Sequence, residues 1–499
     1  MNCIKIISSS ALYVIGFCML YTSHIVAQSD QAFGQFDIFE MPKEVPGNYF
    51  KILPDSSCNA YLITSEKLKD AKTWAGKTIH VNMLDCDLKY QGTVDFKNAE
   101  ITDSRDFSGV YFFHPRNNLL VASLNIDKES ITVNGEGIRN LMGAHQISDF
   151  KMTGRFKAEI VDGISSPDSA FFALILNVEI VDNKQSFISV FDKNLKEVHT
   201  YKFIHSLQTT EVHFILNNRG EMMAFELAES KPDKRNKNKL TINFYTLKNN
   251  VIEKIYTEDS MAEYLRSYLG TTANGNFNHY FIKSHDAEMK VKDRFGKMVP
   301  GTGEKYELYS VIFDPTFQKV FEVKNELKQS MIDKALEGTP KVYGLKLRGM
   351  FLQKNDTFIG VGDAGDDYEY ISLKGQRSQV NDHNGILLFN INAEGKVSET
   401  KLIERSKNSN WGPLVIVTPV QVHDGVFFSY FASKNEIYLV KVVLDEVGAL
   451  KIVKREVNRE MMGGRDLQQT SMISDGNHTV YVDAGFAFKS FTTIRINTD

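Results

Sequence analysis

The chain lacks an excess of either charge: 58 Lys and Arg stand against 62 Asp and Glu in 499 residues. A nucleic-acid binder needs a basic surplus to meet the phosphate backbone, so nucleic acid is not an expected partner. Long apolar runs are missing beyond residue 21, whereas a membrane-spanning helix needs about 20 such residues. Cysteine is scarce, with four in all and no CxxC spacing, which leaves a redox or metal pair without its usual signature. The GxSxG, HExxH and GxGxxG signatures are absent from any setting that would give them chemistry. The Gly-rich GKMVPGTGEK at 296–305 lacks the phosphate-loop order and runs into the strand-like ELYSVIFD. Ser148 and Lys151 form an SxxK pair by number only, because a strand sets residues three apart on opposite faces.

What is present begins with a leader. Residues 1–27 carry one early lysine, Lys5, an apolar stretch from Ile6 to Tyr21, and Ala27 ahead of a polar segment. This pattern predicts a secretory signal peptide cleaved after Ala27, leaving a mature chain of 28–499 with no transmembrane segment. A lipid anchor on Cys18 is disfavoured, since Phe17 stands where lipoprotein signals need a small residue. Cleavage leaves Cys58 and Cys86, an even pair in an oxidising compartment. If Cys58 and Cys86 face each other across a hairpin, the same register sets Ile63 opposite Val81, apolar against apolar. A disulfide there is expected to restrain the unfolded chain by about 3–4 kcal/mol.

The chain is 42% hydrophobic and 11% aromatic, enough for a sizeable core. Its dominant signal is short runs of Val, Ile, Phe and Tyr bounded by Asn, Asp, Gly or Lys, such as TIHVNML at 78–84 and FFALILNVEI at 171–180. Helical patterns are few: SEKLKDAKTWAG, DSMAEYLRSYLG and KNELKQSMIDKALEG are expected to form short insertions between sheets. One unit recurs, an apolar run, a polar turn with Asp or Asn, and a second run, as in ISVFDKNLKEVHTYKF at 188–203. Its turns fall near Asp85, Asp127, Asp192, Lys248, Asp314, Asn392 and Asp445, at the spacing of a four-stranded unit with variable loops. These features predict an all-β fold, a single β-propeller of seven or eight four-stranded blades, seven being favoured. AFGQFDIFEMP supplies a lone strand to close the ring by joining the last sheet, removing free edges. Two β-sandwiches joined near 260–275 are the competing reading.

The FDKNLKEV-type hairpins, the leader ending in VAQ and the block FIGVGDAGDDYEYISLKGQRSQVNDHNGILLFNINAEGKV at 358–397 resemble a group of secreted β-propeller-like proteins of unknown function from Bacteroidetes-type bacteria. The resemblance covers most of the mature chain. It implies a strand, a long polar loop and a second strand within that block, and it carries no catalytic residue over.

The densest polar cluster, Asp363, Asp366, Asp367 and Glu369 followed by Arg377, Asp382 and His383, lies in that loop and is the candidate binding site. No cofactor is expected; several oxygen ligands on a turn could hold Ca²⁺, although the spacing is not that of an EF-hand. Among twelve His residues, His114, His145, His205, His213, His279, His285 and His383 fall on or near strand ends, where a propeller site would draw them. The basic run KPDKRNKNK at 231–239 reads as a solvated hairpin tip. The expected function is a monomeric, non-catalytic binding or interaction module at a bacterial envelope, recognising a protein or glycan through the loops of one face. The alternative is a polysaccharide-active lyase or hydrolase with His, Tyr, Arg or paired carboxylates at the channel mouth.

Overall fold

The computed structural model describes residues 36–498 except 41–42, 47, 55–58, 66–77, 98–107, 110–119, 127–129, 138–141, 152–155, 169, 181–182, 195, 207, 230–239, 261–262, 273, 293–297, 336–343, 372–376, 405–418, 432–436, 458–471, 475–478 and 484–491. The leader and Cys58 lie outside the described residues. The chain divides into two units, Pro42–Lys407 and a smaller one of Met1–Met41 with Asn408–Asp499.

The larger unit is an all-β propeller whose six four-stranded sheets follow one another along the chain, each an antiparallel meander. The third sheet is Phe156–Ser165, Phe171–Ile180, Asn183–Asp192 and Glu197–Ile204; the fourth is Thr209–Leu216, Met222–Glu229, Leu240–Lys248 and Val251–Ser260. The fifth is Glu263–Thr271, Phe277–Lys292, Met298–Phe313 and Lys319–Glu326; the sixth is Gly344–Leu352, Phe358–Ile371, Arg377–Ile391 and Val397–Glu404. First strands of successive sheets approach one another from the third to the sixth, which makes them the inner strands of propeller blades. The smaller unit has two further four-stranded sheets, and in one of them Phe36–Glu40 pairs with Thr492–Asn497. The expected joining of the N-terminal strand to the last sheet is thus observed. Against the expected ring of seven or eight blades, the count the structure supports is six in the larger unit.

The strands form where β-branched and aromatic residues can be covered on both faces. Phe171–Ile180 is buried almost throughout, whereas the outer strand Glu197–Ile204 alternates and leaves Ile204 65% exposed. Aromatic side chains fill the seams between blades. Phe203 of the third sheet meets Phe214 and Tyr245 of the fourth edge-on at 5.6 and 5.0 Å, and Phe244 of the fourth meets Phe313 of the fifth at 5.2 Å. Each fully buried Phe contributes about 1.5–3 kcal/mol.

The recurring sequence unit is the hairpin between the third and fourth strands of a blade. At Asp192, Oδ1 accepts from the N–H of Asn194 at 2.8 Å and of Lys196 at 3.0 Å. Asp85, Asp314 and Asp445 repeat this pair of bonds, and Asn392 accepts from Lys396 N–H at 2.8 Å. Three residues after the Asp or Asn, the backbone turns left-handed at Leu88, Phe317, Gly395 and Gly448. This is a type I turn closed by a bulge, and the pairing register shifts beside it at Leu84, Phe191, Phe313 and Ile391. Gly395 suits its position, since a Cβ there would stand 2.7 Å from Ser310 Cβ. Phe317 takes the same strained backbone because its ring is buried and stacks on Phe277 at 5.0 Å.

Several expectations need correction. Asp127 lies outside the described residues, between Leu120–Ile126 and Ser130–Gly137, so it marks a second-to-third strand connection and not the repeated hairpin. Of the expected helical insertions, 65–76 lies outside the described residues but for Ser65, which ends a strand, and 259–270 is largely the strand Glu263–Thr271. Pairing with Phe277–Lys292 overrides its helical propensity, and it also removes the linker that two sandwiches would need. A seven-residue helix, α1 (Gln329–Ala335), remains of the third, seating Ile332 in the seam of the fifth and sixth sheets. In the first sheet Ile63 does pair with Val81, the register the cysteine spacing required.

Candidate functional site

Meander topology gives the larger unit two unlike ends. One carries the first-to-second and third-to-fourth turns. The other carries the second-to-third hairpins and the blade-to-blade connectors.

The cluster singled out from sequence lies at the second end. Its segment is not a loop: Phe358–Ile371 and Arg377–Ile391 pair along their lengths, and neighbouring strands cover them only as far as Gly365 and Gly385. The remainder projects as a two-stranded ribbon. In it Asp366 stands opposite Asp382, Gly365 opposite His383, Asp367 opposite Asn381, Glu369 opposite Gln379 and Ile371 opposite Arg377. A long polar loop was the wrong expectation because strand pairing, once begun in the blade, continues through the polar residues. Asp363 alone belongs to the blade. It is fully buried at the ribbon's root, 3.4 Å from Arg348 Nε. Arg348 is the extra residue of a bulge in the inner strand, which turns its side chain towards this carboxylate. The fifth sheet extends in the same way, with 285–292 paired to 298–305 beyond its outer strands.

The same end holds a cavity of about 280 Å³ between the third and fourth sheets. Asn177, Lys184 and Ser186 line it from the third sheet, His205 from the connector, and Thr209 to Phe214 from the inner strand of the fourth. Beneath it sits Glu226, 1% exposed. One carboxylate oxygen accepts from Ser206 N–H at 2.8 Å and from Thr209 Oγ1; the other accepts from Asn243 Nδ2 at 3.1 Å and Tyr245 OH at 2.9 Å. Burial by itself would raise this carboxyl, but those four donors outweigh it and hold the pKa below the usual range. Tyr245 is pushed well up by burial and by its bond to Glu226.

Ser186 Oγ donates to Asn177 Oδ1 at 2.8 Å and lies 2.8 Å from His205 Nε2. A hydroxyl has one hydrogen, so His205 Nε2 is the donor of the second bond. Burial lowers the His205 pKa, Glu226 opposes that and Lys184 adds to it. On the inner strand, His213 Nε2 lies 2.8 Å from Glu211 Oε1.

Behind this wall, His279 is fully buried on the fifth sheet, with Phe225, Phe281 and Phe244 at 4.3, 4.6 and 5.3 Å. Neither ring nitrogen has a hydrogen-bond partner among the described residues. Burial first, then the charges of His213 and Lys283, drives its pKa well down.

Of the His residues singled out from sequence, the structure thus brings His205 and His213 to one cavity and places His279 behind it. His114 lies outside the described residues, and His145, His285 and His383 are described as backbone positions in strands. Lys184, Ser186, Glu211 and Glu226 carried no motif. No group of three or more His, Cys, Asp or Glu that could hold a metal occurs among the described residues.

No protein-family model matches the chain, and no curated protein matches it in sequence. Among solved structures it is similar to the WD40 domain of SCAP from fission yeast, at 7% identity and TM-score 0.39, covering 93% of this chain and 98% of that one. It is also similar to polysaccharide lyase Uly1, at 9% identity and TM-score 0.37 over 93% and 99% of the two chains, and to an oligogalacturonate lyase in complex with manganese, at 12% and 0.35 over 91% and 98%. Likeness at this level carries no argument about activity.

Proposed function

We propose that the protein is an extracytoplasmic, non-catalytic binding module that recognises its ligand at the connector-bearing end of the larger unit. The observation that carries this reading is the engagement of the titratable groups under the cavity. Glu226 accepts four hydrogen bonds and His205 spends its Nε2 hydrogen on Ser186. A carboxylate closed in by four donors positions the wall, whereas a general acid or base must be free to exchange a proton with substrate. Incubating residues 28–499 with neutral and acidic oligosaccharides tests it, with thermal shift reading binding and chromatography reading products. Stabilisation without new products is the expected result, about 2.7 kcal/mol at 100 times the dissociation constant. Turnover would overturn it.

A polysaccharide-active enzyme is the second reading, favoured by the Glu211–His213 pair facing the same cavity. It requires cleavage that Glu211→Gln abolishes. Export through the leader at 1–27 and a Cys58–Cys86 disulfide complete the proposal. N-terminal sequencing of the exported protein should begin at Gln28, and peptide mapping without reductant should yield the two cysteines linked.

A further inference from the structure

His279 lies behind the inner strand that lines the cavity, in a place that phenylalanine would fill without loss. We infer that it is the trigger of an acid-operated latch: a proton on its ring parts the fourth sheet from the fifth and so releases the sheet whose inner strand walls the cavity. What the latch does to a ligand rests on the binding reading above; the latch itself does not.

The ring is enclosed by Phe225 and Phe244 of the fourth sheet and by Phe281 of its own strand. Phenylalanine in this nest would strand no polar atom, whereas neither nitrogen of His279 has a hydrogen-bond partner among the described residues. Histidine weakens the packing and adds one property, a site that takes a proton only when the seam opens. The surrounding groups give a proton no help while the seam is shut. Leu269 and Val311 flank the ring in the fifth sheet. Lys283, further along the same strand with Glu307 opposite in register, is buried and holds its Nζ 4.1 Å from the centre of the Tyr309 ring and 5.1 Å from that of Phe281. From the fourth sheet, the second and third strands bring Phe225 and Phe244, and the inner strand brings His213, stacked on Phe225 at 6.0 Å and held 2.8 Å from Glu211. Glu226, beside Phe225, stands on the opposite face of its strand, where four donors close it in. The charges that act on His279 are those of His213 and Lys283, and both oppose a further positive charge. A charged ring and a shut seam are therefore incompatible. Phe225 links the ring to the cavity, because it also touches His213 on the strand that lines it.

The size of the effect follows from the two proton affinities. In the open seam His279 titrates near its ordinary 6.5, and in the shut seam well below it. Opening therefore gains up to about tenfold for each pH unit below 6.5, and about tenfold between pH 7.5 and 5.5. The test is thiol trapping on residues 28–499. Val311→Cys sets a buried thiol opposite His279, and Val190→Cys sets one in the seam of the third and fourth sheets. Each is labelled with a pyridyl disulfide at pH 7.5 and 5.5, and each rate is divided by that of the same chain unfolded. Labelling of Val311→Cys should be about tenfold faster at the lower pH, while Val190→Cys changes less than twofold. Adding His279→Phe, or the smaller His279→Leu, should remove the rise. No rise, an equal rise at both cysteines, or a rise that survives loss of the imidazole would overturn the latch. Thermal shift with neutral and acidic oligosaccharides in the same two buffers separates latch from binding. Stabilisation at pH 7.5 that fades at 5.5, and persists in His279→Phe, supports both; equal stabilisation at both pH values in the unaltered chain would overturn the coupling to the cavity. If trapping follows pH as expected while no oligosaccharide stabilises the chain, the latch stands and the binding reading fails.

Discussion

The two ends of the larger unit solve different problems with the same strands. The turn end is built from short hairpins that satisfy themselves: Asp85, Asp192 and Asp314 each accept two backbone N–H groups within their own turn. Adjacent blades are stitched there by single bonds, such as Asn218 Oδ1 to Asp168 N–H at 3.0 Å and Asn250 Oδ1 to Thr200 N–H at 3.2 Å. The connector end has few such turns. Its polar groups are gathered from several elements, as four donors converge on Glu226 from Ser206, Thr209, Asn243 and Tyr245. Local satisfaction makes a rigid edge, whereas long-range convergence makes a cavity whose chemistry a ligand can read.

This contrast predicts few, large and coupled losses at the connector end against many small, additive ones at the turn end. The largest effect belongs to Asp363→Ala, which strands the nearly buried Arg348 charge at the ribbon's root. Denaturant melts should show a loss of about 3–5 kcal/mol. Next is Glu226→Leu, which leaves the buried Asn243 and half-buried Tyr245 donors without their acceptor and should cost about 2–3 kcal/mol. Glu226→Gln, which keeps an acceptor, should cost less, and a double change with Tyr245→Phe should be far from additive.

Acid should find the seam between the fourth and fifth sheets. The folded pKa of His279 lies well below 6.5, so between those values the unfolded chain binds one proton more. The stability this neutral ring contributes is fully present above pH 6.5 and falls by up to about 1.4 kcal/mol per pH unit below it. His279→Phe should flatten that slope, measured as melting temperature from pH 7.5 to 5. Glu226 acts lower in the range: its folded pKa is depressed, so its share is present above 4.5 and is lost as pH falls through the folded value. The smallest effects belong to the turns. Asp192→Ala and Asp314→Ala should each cost about 1 kcal/mol and add when combined, since the turns share no partner.

The turn end was legible in the sequence because its determinants are contiguous. Asp192 and Asn392 can be recognised without knowing what lies across the sheet. The inner and outer strands were harder to read. Thr209–Leu216 is interrupted by a bulge at Thr210, and Lys319–Glu326 is exposed over most of its length. The cavity was least legible, since its residues come from segments tens of residues apart and meet only when blades pack. Charge density drew attention to Asp366–His383 instead. One faint signal existed. The Asn82–Thr93 bond across the first sheet recurs as Asn243–Thr257 in the fourth, and in register with these asparagines the second strand carries Leu62 in one case and Glu226 in the other. An acid at a position where another blade has an aliphatic residue marks the blade that departs from the repeat.

The most direct test of a recognising end and a holding end is a paired tryptophan substitution read on a glycan array. Thr210→Trp fills the cavity mouth, and Lys193→Trp places the same bulk on an exposed turn at the opposite end of the neighbouring blade. Loss of glycan binding in Thr210→Trp with full retention in Lys193→Trp is the predicted result. Retention in Thr210→Trp, or loss in Lys193→Trp alone, would contradict the account.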